Sequence, residues 1–235
     1  MTVRVAVVTG ASSGIGAELV RTLRVQGWRT VGISRRESSA DEHEECDVAD
    51  RAAVDALAAR VLERHERIDL LVNNAGFSAG IDFVGGDPDQ IEAMVRTNYL
   101  GSVWMANAFL PGLGRGSHIV NIVSIAGEVA VGPYSASKHA QLAFSRSLSV
   151  ELAPRGIAVH TVKPGLVETP GFPHRQRGWI AGRLAVDASL VAERILGAVE
   201  HGRREITVPR WYRVFAIGQA FMPATYTRAR QALRR

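Results

Sequence analysis

Cysteine is nearly absent from this chain of 235 residues, since Cys46 is its one cysteine. A single thiol cannot form a disulfide within the chain and cannot build a cysteine-based zinc site. The chain also lacks a run of about 18 uncharged apolar residues, so no membrane-spanning helix is predicted. The first eight residues lead directly to Gly10 and do not match the pattern of a signal peptide. We therefore expect a cytoplasmic protein without a metal site.

Lysine is scarce as well, because the chain has two lysines, Lys138 and Lys163, beside 26 arginines. The net charge is +5, but residues 209–235 hold six arginines and no acid, so the rest of the chain carries −1. The basic charge thus belongs to the C-terminal segment, and we expect no nucleic-acid binding by the body. The apolar fraction of 46% and the charged fraction of 22% are typical of a globular domain and exclude disorder, collagen and coiled coil.

Short apolar runs alternate with segments of helical periodicity along the chain. Strands are predicted at 3–9, 30–34, 68–72, 118–123, 157–163 and 205–208, and helices at 15–25, 51–65, 89–113, 134–153 and 187–200. Residues 35–45 are polar and too few for a crossover helix, so we expect a turn there. Strands that are almost wholly apolar indicate a parallel sheet covered on both faces. Right-handed crossovers then give a single doubly wound α/β sheet, whose ligands bind beyond the carboxyl ends of the strands.

A glycine-rich loop follows the first predicted strand. It contains Gly10, Ser12, Ser13, Gly14, Ile15 and Gly16. Backbone N–H groups at the start of a helix attract phosphate, and glycine lets the backbone approach it closely. The spacing G-x3-G-x-G differs from the common dinucleotide pattern G-x-G-x-x-G, and a glycine turn without a ligand is the alternative. We interpret the loop as a pyrophosphate-binding site.

Polar residues also follow the next two strands. Ser34-Arg35-Arg36 stands where a carboxylate would bind the ribose 2′-hydroxyl of NAD, whereas an arginine suits the 2′-phosphate of NADP. Arg35 can form two parallel hydrogen bonds with a phosphate, although two arginines at a strand end can equally be surface charges. Asn73-Asn74-Ala75-Gly76 offers amides for backbone groups and space for a flat ring, with a simple turn as the alternative.

Ser124 follows the strand at 118–123, and Tyr134 and Lys138 come ten and fourteen residues later. Positions i and i+4 share one face of a helix, which places an ammonium beside a phenol. An ammonium there lowers a phenol pKa that starts near ~10, and such a phenol can act as a general acid or base. Tyr-x3-Lys is common by chance, but this chain uses arginine almost everywhere else, and a guanidinium does not substitute freely. We interpret Lys163 as structural or exposed at the rim.

These motifs stand in the order found in the short-chain dehydrogenase/reductase family, which the chain resembles over about residues 3–208. The shared features are the glycine loop, Asp47 after a short strand, Asn73-Asn74-Ala75-Gly76, Asn98 within Thr97-Asn98-Tyr99-Leu100-Gly101, Ser124, Tyr134-Ser135-Ala136-Ser137-Lys138, and Pro164-Gly165-x-Val167-x-Thr169. Each motif is modest alone, but seven in this order are specific. The resemblance implies a Rossmann fold and hydride transfer between NADP(H) and the carbon of a secondary alcohol or ketone.

The resemblance also implies roles for individual residues. Tyr134 would exchange a proton with the substrate oxygen, Ser124 would hydrogen-bond that oxygen, and Lys138 would bind the nicotinamide ribose and lower the Tyr134 pKa. Asn98 would hold, through its main chain, a water that relays protons from Lys138. Besides Tyr134 and Lys138, the cofactor would contact Gly10, Gly14, Ile15 and Gly16 at the phosphates, Asp47 and Val48 at the adenine, Asn74 and Ala75 at the adenosine ribose, and Pro164, Gly165 and Thr169 at the nicotinamide. Arg35 would bind the 2′-phosphate, and Ser12, Ser13, Ser34, Arg36, Gly76 and Val167 complete the predicted cofactor-binding set.

Three features depart from the family pattern. The segment between Ser124 and Tyr134 is shorter than usual by two or three residues, which we interpret as a trimmed loop rather than a displaced Ser124. Residues 35–45 are also short, which leaves the position of Arg36 less constrained. The tail after Val208 matches no common ending of the family.

Two segments bear on the substrate and the partners. Residues 166–186 form a mobile lid in the family, and here they suit an apolar substrate or an anionic carrier, with ordinary packing as the alternative; they contain Phe172, Arg175, Arg177, Trp179, Ile180, Arg183 and Leu184. The helices at 89–113 and 134–153 form the family's usual interface, so we expect a homodimer or homotetramer.

Residues 209–235 form a basic amphipathic extension that Pro223 interrupts. Packing on the protein is favoured for it, ahead of an anionic membrane surface and of nucleic acid.

The predicted function is an NADP(H)-dependent oxidoreductase that interconverts a secondary alcohol and a ketone, with Tyr134 as general acid/base. The predicted dehydrogenase domain spans residues 1–208. The alternatives are a non-catalytic NADP(H)-binding sensor and a membrane-associated reductase of a lipid-like substrate. Sensors of that kind typically lose the tyrosine or the lysine, and both are present here, which favours the enzyme.

Overall fold

A seven-stranded parallel sheet forms the centre of the protein in a computed structural model that describes residues 3–130, 132–174 and 179–233. The strands are β1 (Val5–Thr9), β2 (Arg29–Ile33), β3 (Glu42–Glu44), β4 (Leu70–Asn73), β5 (His118–Ile122), β6 (Ala158–Pro164), β7 (Val167–Glu168), β8 (Val186–Asp187) and β9 (Glu205–Val208). The order across the sheet is β3-β2-β1-β4-β5-β6-β9, while β7 and β8 pair only with each other. The predicted doubly wound parallel sheet is confirmed.

Helices cover both faces of the sheet, and each face has its own apolar core. The helices are α1 (Gly14–Val25), α2 (Arg51–Arg64), α3 (Pro88–Val95), α4 (Gly101–Phe109), α5 (Pro133–Leu152), α6 (Trp179–Leu184), α7 (Ala188–Glu200), α8 (Arg213–Phe221) and α9 (Pro223–Leu233). Helices α2, α4 and α5 pack on one face, and α1 and α7 on the other. Successive residues of β1 alternate between the two cores, because side chains of a strand point to opposite faces.

Local sequence signals set several helix ends where the sequence places them. The Asp50 carboxylate accepts from Ala53 N–H at 3.1 Å at the start of α2, and the Asp87 carboxylate accepts from Asp89 N–H at 3.0 Å at the start of α3. Such bonds satisfy N–H groups that have no partner within the helix. Gly27 has a φ of +77° just after α1, a conformation that favours glycine. Helix α8 ends at Phe221 and α9 begins at Pro223, so the predicted interruption at Pro223 is confirmed.

Two predicted elements differ in the structure. The segment 35–45 contains no helix, but its last residues form the edge strand β3 rather than only a turn. Its acids bind α2, where Arg64 contacts both Glu42 and Glu44. The long helix predicted at 89–113 is broken into α3, a π-helical turn at Arg96–Leu100, and α4. Across the described residues, no helix combines the length and apolar character needed to cross a bilayer.

Candidate active site

A cleft of about 1120 Å³ opens at the carboxyl ends of β1, β2, β4, β5 and β6. This is the edge at which the topology of a doubly wound sheet places ligands. Most of the predicted site residues line it, namely Gly10, Ser12, Ser13, Gly14, Ile15, Ser34, Arg35, Arg36, Asp47, Val48, Asn74, Ala75, Gly76, Ser124, Tyr134, Lys138, Pro164, Gly165, Val167 and Thr169. Gly16 and Asn98 are not among the lining residues, and their predicted contacts with the cofactor and with a water stay predictions.

Gly16 packs the loop together instead of facing the cleft. A Cβ on Gly16 would lie 2.3 Å from the Gly10 carbonyl oxygen and 2.6 Å from Asn74 Nδ2, a separation that no side chain tolerates. Gly10 itself has a φ of +65°. The Asn74 amide donates to the Thr9 carbonyl at 2.8 Å and ties the loop to the end of β4. Glycine is required here so that helix, loop and strand end can approach closely.

The glycine loop fits a phosphate group. Ser13 occupies the position before α1, and its side chain does not bind the N–H groups of the first turn. Those N–H groups are therefore available to a ligand, and the positive end of a 12-residue helix lies beside them. The neighbouring glycines keep the approach clear. The donor set is that of a pyrophosphate site.

A basic and an acidic side chain, Arg35 and Asp47, line the cleft away from the glycine loop. The Arg35 guanidinium lies 3.7 Å from the Asp47 carboxylate, with 76% of the arginine side chain exposed. The Ser34 hydroxyl donates to the Arg36 carbonyl at 2.6 Å and so stabilises the turn. Val48 is buried beside Asp47 and supplies an apolar contact. Arg35 is free to turn toward an anion in the cleft, while Asp47 offsets part of its charge.

Ser124 and Tyr134 both line the far end of the cleft, and Ser124 is close enough to influence the pKa of the Tyr134 hydroxyl. Ser124 Oγ accepts from Ala126 N–H at 3.1 Å, which fixes it at the end of β5. The short segment between the two residues therefore does not displace Ser124. Lys138, one turn along α5, places its Nζ 6.0 Å from the centre of the Tyr134 ring.

Burial governs ionisation at this end of the cleft. It raises the pKa of Tyr134 to about 12, although the nearby Ser124 side chain opposes the rise. It lowers the pKa of Lys138 to about 7. The net direction of the Tyr134 shift is therefore upward, and the predicted lowering of this pKa by Lys138 stays a prediction. Removing the phenolate from water outweighs the attraction of an ammonium that is itself desolvated.

Asn98 lies in the π-helical turn behind the cleft and is fully buried. Its Nδ2 donates to the Phe77 carbonyl at 2.9 Å and to Ser137 Oγ at 3.0 Å, and its Oδ1 accepts from Phe77 N–H at 2.9 Å. The side chain thus joins the loop after β4 to α5. A Cβ on Gly76 would come within 3.0 Å of Asn98 Oδ1, so the small residue at 76 separates Asn98 from the cleft.

The segment after β6 closes the cleft on the side of α1. A Cβ on Gly14 would lie 3.0 Å from Thr169 Cγ2. Gly165 packs against the ring of Tyr212, which a Cβ would meet at 2.3 Å. Tyr212 is buried, and its hydroxyl donates to the Leu184 carbonyl at 3.3 Å. The C-terminal extension, residues 209–235, therefore supports the wall of the cleft through Tyr212. The aromatic residues near position 212 predict packing on the protein but not this contact with the cleft wall.

The cleft is also lined by side chains that the sequence did not single out, among them Phe77, Ile81, Val129 and His174. Phe172, predicted within the lid, also lines it, with its ring 6.1 Å from that of Tyr134. Residues 77 and 81 lie in the loop after β4. The expectation that ligands bind beyond the carboxyl ends of the strands could have identified them. Of the other predicted lid residues, Arg175 and Arg177 and the side chains of Trp179 and Ile180 lie outside the described part of the chain.

Lys163, the second lysine, is buried within an ion cluster. Its Nζ lies 2.7 Å from Glu128 and also contacts Glu205, and Arg146 binds both acids. This agrees with a structural role and not with exposure at the rim. Within the ranges that the structure describes, no three His, Cys, Asp or Glu side chains are grouped as metal ligands.

Comparison with known proteins gives consistent matches. The family model described as short chain dehydrogenase matches residues 4–178. The chain is 38% identical over 200 residues to the monensin polyketide synthase putative ketoacyl reductase of Streptomyces virginiae, covering 77% of each chain.

Solved structures give the same result. A short chain dehydrogenase from Burkholderia cenocepacia in complex with NADP is 29% identical with a TM-score of 0.82, over 98% of this chain and 95% of that one. A short chain dehydrogenase/reductase from Burkholderia phymatum in complex with NAD is 23% identical, with a TM-score of 0.82 over 93% of both chains, and shows the shared fold. The chain therefore belongs to the short-chain dehydrogenase/reductase family and is an NAD(P)-dependent oxidoreductase.

Proposed function

We propose that this protein interconverts a ketone and a secondary alcohol with NADP(H) as cofactor and Tyr134 as general acid/base. The observation that carries the proposal is that Ser124, Tyr134 and Lys138 line the same cleft as the phosphate-binding loop, with Lys138 Nζ 6.0 Å from the centre of the Tyr134 ring. A sensor protein would not need a phenol held in this way. The catalytic set is thus Ser124, Tyr134 and Lys138, with Asn98 supporting it from behind.

The residues of this set divide the work on the substrate oxygen. A nicotinamide held in the cleft would provide the hydride chemistry at the substrate carbon. The Tyr134 hydroxyl gives its proton to the oxygen in the reducing direction and takes it back in the oxidising direction. The Ser124 hydroxyl holds that oxygen by a hydrogen bond. The high pKa of Tyr134 keeps the phenol protonated at neutral pH, which favours reduction.

Arg35 is proposed to select NADP(H) over NAD(H). Its guanidinium is exposed at the cleft and lies 3.7 Å from the Asp47 carboxylate. A 2′-phosphate bound there would replace this long ion pair with two parallel hydrogen bonds to the guanidinium. Arg36 and Ser34 shape the same turn. The preference rests on these residues, since related structures hold either NADP or NAD.

The substrate is proposed to be an apolar β-ketoacyl compound. Phe77, Ile81, Val129 and Phe172 line the cleft together with the polar Ser78, Asp82 and His174, and the ring centre of Phe172 lies 6.1 Å from that of Tyr134. The relative from Streptomyces virginiae is described as a putative ketoacyl reductase. A small β-ketoacyl thioester is therefore the first substrate to assay.

Titration of the protein with NADPH and then NADH, followed by nicotinamide fluorescence, tests the proposal. We expect tight binding of NADPH and weak binding of NADH. Arg35→Ala should weaken NADPH binding at least about tenfold, since a charged hydrogen-bond pair contributes roughly 1.5–3 kcal/mol, and should leave NADH unchanged. Arg51→Ala is the matched control, because Arg51 is an exposed arginine paired with Asp55 and is not among the residues that line the cleft. Equal weakening of both cofactors by Arg35→Ala would contradict the assignment.

A homodimer or homotetramer in the cytoplasm is the proposed state of the protein. Peripheral contact with a membrane is a second candidate for residues 209–235. It is favoured by one observation, the exposed apolar residues Trp211, Val214, Phe215, Ile217, Phe221 and Met222. They accompany six arginines and no acid in that segment, a composition that suits an anionic surface.

A further inference from the structure

A buried chain of polar groups runs behind the catalytic end of the cleft. Lys138 Nζ donates to the Ile122 carbonyl at 3.0 Å and to Gln141 Oε1 at 2.7 Å. Gln141 Nε2 donates to Ser102 Oγ at 2.8 Å, and the Ser102 hydroxyl donates to the Asn98 carbonyl at 3.4 Å. This series of hydrogen bonds therefore connects Lys138 on α5 to the π-helical turn that contains Asn98.

The orientation of the Gln141 amide follows from its neighbours. An ammonium donates only, so the oxygen of the amide must face Lys138 and the nitrogen must face Ser102. Gln141 is completely buried, and Ser102 and Lys138 are nearly so. A buried amide with a partner on both sides has one orientation. It therefore holds Nζ at one point beside the cleft.

Gln141 shares its helix face with the catalytic pair. Tyr134, Lys138 and Gln141 stand at positions i, i+4 and i+7 of α5, the spacing of one stripe along a helix. We propose that Gln141 is a positioning residue that keeps the charged Lys138 amine at the cleft, through its amide and the anchor on Ser102. The proposal deepens the proposed function, because it concerns the same catalytic set.

The acids near α5 are paired with other basic residues, so Lys138 is held by uncharged hydrogen-bond acceptors, the Gln141 amide and the Ile122 carbonyl. Tyr134 is the titratable group facing it, with its ring centre 6.0 Å from Nζ. On the elements packed against α5, Glu128 binds Lys163 and Arg146, and Glu92 binds Arg96. Burial already lowers the pKa of Lys138 to about 7. Loss of an amide acceptor at 2.7 Å should therefore lower the proton affinity of the amine further.

The scarcity of lysine permits a direct measurement. In protein labelled with ¹³C at lysine Cε, Lys138 and Lys163 give the two lysine signals, and a Lys138→Met variant identifies the first. We expect Gln141→Met to lower the Lys138 midpoint by about one pH unit, a tenfold loss of proton affinity, and Gln141→Glu to raise it. An unchanged midpoint in both variants overturns the proposal.

Ser145→Ala is the matched control, since Ser145 lies on α5, is fully buried and bonds Asn121 and Thr161. It should lower thermal stability and leave the Lys138 midpoint in place. A Ser145→Ala shift as large as that of Gln141→Met would show a general packing effect and would overturn the specific role. Should Gln141→Met fail to fold, Gln141→Glu retains a polar group of the same length and still reports the direction.

Kinetics separates this proposal from the proposed function. With NADPH and a small β-ketoacyl thioester, the loss of kcat at high pH should move to lower pH in Gln141→Met and to higher pH in Gln141→Glu. A uniform loss of kcat at every pH indicates a merely structural residue and contradicts the proposal. Absence of NADPH binding in the unsubstituted protein would refute the proposed function, whereas the NMR midpoints still decide the role of Gln141.

Discussion

At the scale of the residue, Tyr134 and Lys138 lie one turn apart on α5, and burial shifts the pKa of both side chains. The spacing of Tyr134 and Lys138 along one helix is enough to predict their proximity. The direction of their pKa shifts depends on how completely the surrounding loops exclude water, and that comes from tertiary packing. Gln141 was missed for a related reason, because a glutamine in a helix has no distinctive pattern until its burial is known.

Tyr134→Phe tests the proposed proton donor. The substitution removes one hydroxyl and keeps the ring against Phe172. We expect the loss of general acid catalysis to lower turnover by a factor of about 10²–10⁴. NADPH affinity should remain close to that of the unsubstituted protein, as measured by fluorescence titration. A variant that retains most of its turnover would place the proton donor elsewhere.

At the scale of the element, apolar patterning predicts the buried strands and fails at the edge. Strand β3 contains Glu42, His43 and Glu44, so no hydrophobic run marks it. It forms because its backbone pairs with β2 and its acids bind arginines of α2. The break in the long helix is equally hidden, since the residues of the π-helical turn have no helix-breaking composition.

The histidine pair between β5 and β6 makes stability depend on pH. His160 Nδ1 donates to the Arg203 carbonyl at 2.8 Å, which leaves Nε2 to accept from His118 Nδ1 at 2.9 Å. Burial, His118 and Arg204 all lower the pKa of His160, to about 4. The folded state thus binds fewer protons than the unfolded chain between pH 6.5 and 4. The contribution of His160 to the free energy of unfolding is fully present above pH 6.5 and is lost as the pH drops from 6.5 to 4.

We expect the free energy of unfolding to fall by roughly 3 kcal/mol at most between pH 6.5 and 4 because of His160. Urea denaturation at several pH values measures this slope. His160→Gln should flatten it even if the variant is less stable throughout. His201→Gln is the control, because His201 is exposed. An identical slope in His160→Gln and the unsubstituted protein would exclude the histidine pair as its source.

At the scale of the whole molecule, the position of the cleft was predictable, whereas the support behind it was not. Parallel strands end at one edge, so motifs far apart in sequence converge there. The predicted boundary at residue 208 remains a proposal, because the start of the extension contacts the body through Tyr212 and Gln219. Tyr212 packs against Gly165, and Gln219 accepts from Ala130 N–H at 2.9 Å in the short segment before α5. Such long-range contacts carry no local sequence pattern.

The two faces of α8 have different environments, which makes the membrane candidate testable. Gln219 faces the body, whereas Phe221 is 82% exposed and Ile217 is 52% exposed. If this outer face lies on a membrane, the protein should sediment with vesicles rich in anionic lipid and less with neutral vesicles, because arginines add electrostatic attraction to apolar burial.

A double substitution of Ile217 and Phe221 by serine should weaken this sedimentation, since burial of each large apolar side chain contributes roughly 1.5–3 kcal/mol. The matched control is Val150→Ser, which removes an apolar side chain that is 75% exposed on α5. Protein that stays in the supernatant with both kinds of vesicle would exclude the membrane as the partner. A smaller assembly of the double variant in light scattering would then assign the outer face of α8 to contact between subunits.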